Sequence, residues 1–265
     1  MSPLDSELRD LMRFASERAI LPRFRNLADE DVEEKAKDDL VTVADREVEE
    51  FLSEALARLA PGVAIVGEEA AHADPSVLDA LSEQCWIVDP IDGTHNYAHG
   101  RTPFGIMVAL ADAGETVAGW IYDPVRDRLC HARRGEGAFI DGEPVSARST
   151  GETPPVAAIS VIFLDEARRQ AVNDHVAPRY RVVETPRCAA EQYPRLALGE
   201  NDVSFFERTL AWDHAAGTLW LNEAGGKVCR PDGSPYLVSE RDRTGMIGAA
   251  SPALWDGLAE LYAKL

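Results

Sequence analysis

Long apolar runs are missing from this 265-residue chain, and no stretch approaches the ~20 residues that a membrane-spanning helix requires. Cysteine is scarce. The four present, Cys85, Cys130, Cys188 and Cys229, show no paired spacing, so reduced thiols and a cytoplasmic protein are expected rather than a disulfide framework. The first residues, Met1 to Glu7, hold no basic segment followed by an apolar core, which argues against a secretory signal. Positive charge is also in deficit. Lys and Arg number 27 against 46 Asp and Glu, a formal net charge of −19. Such a surface repels nucleic-acid phosphates and excludes DNA or RNA as an expected partner. Internal repeats and low-complexity tracts are lacking too. What is there is 45% hydrophobic and 28% charged, ample for a globular chain with one large core or two smaller ones.

Periodicity divides the chain into elements. Leu4, Leu8, Leu11, Met12, Ala15 and Ala19 recur at helical spacing and predict an amphipathic helix that Pro22 ends or kinks. An acidic segment over 29–34 runs into 35–39, which reads as a solvated polar loop. Thr42 is a natural cap for a second helix, with Asp45 three residues on, close to a capping box. Val48, Phe51, Leu52, Ala55, Leu56 and Leu59 give that helix its apolar face. The run 63–66 reads as a buried strand ending at Gly67-Glu68-Glu69, and 71–81 as a surface excursion. Apolar runs over 104–110 and 117–122, a turn at Asp123-Pro124, a return strand over 128–132 and a glycine-punctuated stretch over 135–142 predict a mostly antiparallel sheet. The Ser-, Thr- and Pro-containing stretch 146–155 is the expected boundary between an N-terminal α+β domain, 1–146, and a C-terminal α/β domain, 147–265. In the second, strands over 156–163, 181–183, 203–206, 227–229, 236–238 and 246–249 alternate with helices over 165–176, 188–198, 212–224 and 252–265.

The stretch that organises the chain is Trp86-Ile87-Val88-Asp89-Pro90-Ile91-Asp92-Gly93-Thr94. Its apolar start reads as a short buried strand, and Pro90, which cannot donate to a ladder, is expected to end it. Asp92-Gly93-Thr94 then reads as a turn into a helix. Two acids at a strand's end, beside free backbone N–H groups, suit a hard cation and an oxyanion together. Taken singly, each acid has an ordinary role: Asp-Gly is a common turn, and Asp45 and Asp213 sit where helix caps sit. The Gly-x-Gly at 135–137 lacks the strand–turn–helix setting of a dinucleotide site. His95 and His99 are four apart, a spacing sometimes used for zinc, but they read as coincidental, and His214 as cleft-lining.

Three segments in combination carry more than any single acid: Gly67-Glu68-Glu69, the run Asp89-Pro90-Ile91-Asp92-Gly93-Thr94-His95-Asn96-Tyr97, and Trp212-Asp213-His214-Ala215-Ala216-Gly217. Together, and from about Lys35 to Gly226, the chain resembles the inositol monophosphatase family of magnesium-dependent phosphomonoesterases. The resemblance implies an α+β class, the layered αβαβα sugar-phosphatase fold. It implies a metal cage of Glu68, Asp89, Asp92 and Asp213, with the backbone carbonyl of Ile91 as a further ligand. All are oxygen donors, which suit Mg²⁺ or Mn²⁺, two or three ions per site. Two ions about 3.5–4 Å apart would share the activation of water and the charge on the leaving oxygen. A chain of net charge −19 needs such ions if its partner is itself a phosphate. Thr94, held by Asp45, would orient or deprotonate the water, Glu68 sharing that task. The N–H groups of Gly93 and Thr94 would hold phosphate oxygens. The resemblance further implies lithium sensitivity and a homodimer, and turns either Lys35 or Lys37 toward the site.

The expected substrate is a small phosphorylated polyol or sugar, myo-inositol 1-phosphate first. Histidinol phosphate, fructose 1,6-bisphosphate and 3′-phosphoadenosine phosphates fit the same chemistry, and a regulatory binding protein that keeps the fold is the non-enzymatic alternative. Glu207 matches the family's hydroxyl-recognising glutamate, one residue nearer Asp213 than in the best-known animal enzymes. Arg187-Cys188-Ala189-Ala190-Glu191 replaces the family's common Ser-x-Gly-x-Ala segment, so Arg187 and Glu191 are expected to alter specificity.

Overall fold

The computed structural model describes residues 1–36 and 39–262. Helix α1 (Pro3–Ala15) opens on a capping box between Ser2 and Asp5 and continues as a π turn to Ile20. Strands β1 (Val32–Ala36) and β2 (Asp39–Thr42) pair as an antiparallel hairpin where the charge pattern predicted a loop. Main-chain pairing does not need apolar side chains, so an acidic hairpin leaves little trace in the sequence. Helix α2 (Val43–Leu59) has the predicted capping box of Thr42 and Asp45. It is followed by β3 (Ala64–Gly67), α3 (Glu68–Ala73), a 3₁₀ segment (Pro75–Ser82), β4 (Cys85–Asp92) and the single-turn α4 (Thr94–Ala98).

A meander follows: β5 (Gly105–Asp112), β6 (Glu115–Asp123), β7 (Arg128–Arg133), β8 (Gly137–Ile140) and β9 (Glu143–Val145). These strands with β3 and β4 form a seven-stranded sheet in the order β3-β4-β5-β6-β7-β8-β9, antiparallel except for the β3–β4 pair. The second half contributes β10 (Val156–Ile159), α5 (Glu166–Ala171), β11 (Arg181–Val183), α6 (Ala189–Ala197), β12 (Val203–Phe206), α7 (Ala211–Glu223), β13 (Lys227–Cys229), β14 (Met246–Ala249) and α8 (Pro252–Tyr262). Its sheet runs β11-β10-β12-β14-β13, with β10 parallel to β11 and β12 and the β14 pairings antiparallel. The strand expected over 236–238 forms no ladder.

Alternation along the strands builds the layers. Trp86, Val88, Ile106, Val108 and Trp120 pack with Leu8, Met12 and Leu52 of α1 and α2 on one face of the large sheet. Ile87, Met107, Ala109 and Ile121 pack on the other face with Tyr193 and Trp220 of α6 and α7. Val228 and Met246 of the small sheet close over the same two helices. Ile159, Phe205 and Ile247 look outward to Val172, Val176 and Trp255. The order is helices, sheet, helices, sheet, helices, an α+β five-layer sandwich as expected. The stretch 146–155 separates the two sheets, while α6 and α7 join both in a shared core. Among the described residues no helix is long and apolar enough to cross a membrane.

The middle layer packs directly against the large sheet, and glycine allows it. A Cβ on Gly119 of β6 would lie 2.7 Å from the Ala216 Cα of α7, and one on Gly217 would lie 2.0 Å from the Tyr193 ring of α6. The small residues of 215–217 therefore let α7 sit between strand and helix without a side-chain spacer. Gly119→Ala should destabilise the fold by about 1–3 kcal/mol through overpacking. That is a melting temperature lower by roughly 2–4 °C per kcal/mol. A thermal melt of the variant that matches the native chain would disprove the close contact.

Candidate active site

Asp89 and Asp92 cannot share a face of a regular strand, because side chains alternate with a period of two. In β4, Cys85 and Ile87 belong to the inner core, which puts Asp89 on the inner face. The pairing with β5 then slips between Asp89 and Asp92, so that Ile91 packs in the outer core and Asp92 turns inward. Pro90 sits inside this irregularity and bends the strand, where it was expected to end it. The chain then turns through Gly93, whose φ is +84° and whose missing Cβ would lie 3.1 Å from the Pro103 carbonyl oxygen. Only glycine meets both conditions.

Asp213 arrives from the other direction, in the first turn of α7. One carboxylate oxygen from each of Asp89, Asp92 and Asp213 lies within 4.8 Å of the others. Glu68, at the start of α3, lines the same cleft but lies outside that group of three. The cleft opens at the C-terminal ends of β3, β4, β10 and β12, where parallel neighbours leave their ends free.

The electrostatics of the cluster are unfavourable without a counter-charge. Asp89 is 1% exposed, and its Oδ1 has no hydrogen-bond partner among the described residues. Burial, and then the charges of Glu68, Asp92, Asp213 and Asp45, hold its carboxyl well above the usual carboxylate range. Asp92 is also raised by burial, although the Ala190 N–H donates to its Oδ2 at 2.6 Å. Converging, desolvated, acceptor-only oxygens fit a hard divalent cation. The residues able to hold one are Asp89, Asp92 and Asp213, with Glu68 and the Ile91 carbonyl at the edge.

Beside them, Thr94 Oγ1 lies 2.8 Å from the Ile91 oxygen and 3.3 Å from Asp45 Oδ1. The other oxygen of Asp45 accepts from the Thr42 N–H at 2.8 Å. The capping box of α2 and the reach to Thr94 thus use the two oxygens of one carboxylate.

Comparison with known proteins agrees with this geometry. Residues 2–264 match the family model described as the inositol monophosphatase family. The chain belongs to that family. It is 33% identical over 227 residues to the inositol-1-monophosphatase of Bacillus subtilis, covering 84% of this chain and 83% of the relative. A fructose-1,6-bisphosphatase/inositol-1-monophosphatase of Aquifex aeolicus is 29% identical over 97% of this chain and 95% of its own. Among solved structures, the extragenic suppressor protein suhB of Bartonella henselae superposes with a TM-score of 0.83 at 28% identity, covering 99% of each chain. Family members are metal-dependent phosphoric monoester hydrolases, and the present chain is an enzyme of that kind.

The remaining expected site residues divide. Gly93, Arg187 and Glu207 line the cleft. Glu191 does not. Its buried carboxylate is turned to Arg126 at 3.1 Å, Arg128 at 2.8 Å and Arg195 at 3.2 Å, tying α6 to the end of β6 and the start of β7. Three guanidinium groups outcompete an open cleft for that charge. Lys37 and the side chain of Lys35 lie outside the described residues. His95 lines the cleft and stacks on His99 with ring centroids 4.4 Å apart, but no metal-ligating group of three among the described residues includes either. His214 is buried, and its pKa is pushed down to about 3 by burial. Its Nε2 donates to the Arg208 carbonyl at 3.0 Å, so Nδ1 accepts from the Tyr193 hydroxyl at 2.8 Å. It is a neutral brace, not a proton carrier.

Two residues were missed. Glu49 of α2 is buried and accepts from the N–H groups of Glu69 and Ala70, each at 2.8 Å, which fixes the start of α3 and hence Glu68. Its signal was an acid one turn beyond Asp45 on the face that carries Val48 and Leu52. Asn96 donates to the carbonyls of Pro103 and Pro186 at 2.8 and 2.9 Å, joining the motif to the turn before α6. Its place inside the 89–97 motif was the only hint.

The raised Asp89 predicts a pH effect with a definite sign. In the metal-free protein the folded state keeps the Asp89 proton after the unfolded chain has lost it. Stability therefore falls as pH rises from the ordinary carboxylate value, 3.8, toward the raised folded value. Asp89→Asn removes this penalty. In chelator at pH 8 the variant should melt about 2–4 °C or more above the native chain, with the gap closing toward pH 4. Added divalent cation should stabilise the native chain more than the variant. A variant that melts lower in chelator at pH 8 would show that Asp89 is not a repelled, uncompensated charge.

Proposed function

We propose that the chain hydrolyses a small sugar or polyol monophosphate in the presence of Mg²⁺, with myo-inositol 1-phosphate the first candidate and one or more Mg²⁺ held by Asp89, Asp92, Asp213, Glu68 and the Ile91 carbonyl. The observation that carries this is the three-carboxylate cluster with Thr94 and Asp45 beside it. The inositol-1-monophosphatase name of the Bacillus subtilis relative supports the substrate, and Mn²⁺ would suit the same donors. Bound there, the cations would neutralise the acids, lower the pKa of water and offset charge on the leaving oxygen.

The chain's own groups do the rest. The Gly93 and Thr94 N–H groups receive phosphate oxygens at the start of α4. Thr94 Oγ1 takes a proton from the attacking water while passing its own to Asp45 Oδ1, 3.3 Å away. Glu68, which also lines the cleft, assists. Water attacks phosphorus directly, the alcohol leaves, and no covalent intermediate forms on the protein. Cys188, the thiol in the cleft, is buried and its pKa is raised, first by burial, which suits it poorly as a nucleophile. The four free, buried cysteines support a cytoplasmic setting, and a homodimer rests on the resemblance alone.

A second reading keeps the chemistry and changes the ester. The Aquifex aeolicus relative is named for both fructose-1,6-bisphosphatase and inositol-1-monophosphatase activity, so sugar bisphosphates belong in the assay. Histidinol phosphate and 3′-phosphoadenosine phosphates complete it. The complete carboxylate set argues against a regulatory protein that has lost catalysis.

Phosphate release from this panel, with and without Mg²⁺, tests the proposal. Release should require Mg²⁺, and Asp92→Asn should abolish it while leaving the circular dichroism spectrum nearly unchanged. Near-native turnover in that variant would remove the carboxylate cluster from the mechanism. Millimolar lithium should slow the native enzyme.

Thr94→Ala should lower kcat by about 10²–10⁴-fold with a smaller change in KM, and Thr94→Ser should restore most of it. An equal loss in both variants would mean that packing, not the hydroxyl, is what matters there.

A further inference from the structure

The cleft holds two arginines that the hydrolytic chemistry does not use. Arg187 lines it from the turn before α6, and Arg208 from the turn before α7. In a protein of net charge −19, cations beside a cluster of acids need a reason.

The backbone of Arg187 supplies the first. Its φ is +52°, a left-handed conformation that is strained for an L side chain and free for glycine. The turn has no room to relax: Asn96 holds the Pro186 carbonyl at 2.9 Å, and Cys188 packs against Gly93. Yet the position carries a long cation, exposed, with no hydrogen bond or ion pair to any described residue. Strain kept at a cleft for the sake of a side chain points to a use for that side chain.

The surroundings of Arg208 supply the second. Its guanidinium lies 4.9 Å from the centroid of the Phe163 ring, and its Nη2 is 3.7 Å from Asp213 Oδ2. Phe163 is 49% exposed and forms the cleft's lip with Ile162. The aromatic face braces the cation within the cleft beside the carboxylate cluster.

The third lies in Glu207, which the resemblance assigns to substrate hydroxyls. Both its oxygens are taken by Arg168, at 2.6 and 3.0 Å, and Thr244 lies 3.4 Å away. A carboxylate so engaged has little left to offer a polyol.

We propose that Arg187 and Arg208 determine specificity by receiving a second anionic group, a phosphate or carboxylate, on the alcohol portion of the ester. The preferred substrate is then a phosphomonoester that carries a further negative charge. Guanidinium groups present paired donors that match either anion. This assignment rests on the phosphatase reading above.

The test uses the full-length protein with Mg²⁺ and four esters. β-Glycerophosphate and myo-inositol 1-phosphate lack a second anion, fructose 1,6-bisphosphate has a second phosphate, and 3-phosphoglycerate has a carboxylate. At least one doubly anionic ester should show a kcat/KM about tenfold or more above the first pair, a preference that shrinks as ionic strength rises. Arg187→Gln should cut the preference ratio about tenfold, mainly through KM, and Arg187→Lys should recover part of it. Arg187→Gly relieves the left-handed strain and should melt no lower than the native chain, while losing the preference as the Gln variant does. Equal kcat/KM for all four esters, or an Arg187→Gln variant that scales them all alike, would overturn the second-anion assignment and leave the phosphatase reading intact. Failure to release phosphate from any of them with Mg²⁺ would overturn both.

Discussion

Two carboxylates three residues apart on a strand face the same way only if the strand loses its alternation between them. Here the slip between Asp89 and Asp92 does this, with Pro90 inside it and the left-handed Gly93 at its end. The result is a pair of desolvated acids pointing at the N-terminal turns of α6 and α7, from which Asp213 joins them. Burial first, and then the like charges around it, raise the Asp89 carboxyl. The fold therefore carries a local penalty that the right ligand, a divalent cation, converts into binding energy. Most of the structure around the cleft serves to keep the acids from moving apart.

The restraints are of two kinds. Close packing holds α7: Gly119 beneath Ala216 and Gly217 against Tyr193 leave no slack through which Asp213 could retreat. Hydrogen bonds hold the rest. Glu49 fixes the turn that presents Glu68, and Asn96 ties the 89–97 loop to the turn before α6. His214, neutral because it is buried, links Tyr193 to the Arg208 carbonyl and so joins the core to the cleft's cationic wall. None of these groups meets a substrate in the proposed chemistry, but each fixes the position of one that does.

What was legible in the sequence follows from how local each signal is. Helix α2 could be read with its cap because Thr42 and Asp45 are neighbours, and the two acids of β4 because they share one motif. The five layers came from the resemblance, with strand and helix periods in agreement. The hairpin of β1 and β2 was missed because its acidic side chains carry no apolar alternation. The run 236–238 has a strand's composition but joins no ladder, and its Val238 N–H donates instead to the Gly114 carbonyl, between β5 and β6, at 2.9 Å. Glu191 was misplaced because only tertiary structure brings Arg126 and Arg128 to it. Glu49 and Asn96 act across long stretches of chain, which one sequence does not display.

The same distinction separates hydrolysis from recognition. The carboxylates sit on a strand end and a helix start, elements fixed by core packing on both faces, so their geometry tolerates little change. Arg187, which the resemblance marks as a departure from the family's common pattern, sits elsewhere, in the turn before α6. Arg187 occupies a position whose backbone favours glycine, a few residues from Ala190, whose N–H binds Asp92. A side chain there can reach the alcohol of the substrate while its backbone stays pinned by Asn96 and Cys188. Glu207 shows the complementary case: a recognised family position whose charge Arg168 has taken up. One acid withdrawn and one cation added, with the acids of the cluster kept, would shift the cleft from hydroxyl recognition toward anion recognition without disturbing the proposed chemistry. In the proposed reading, specificity is carried by the turns on the rim, and catalysis by the layers beneath them.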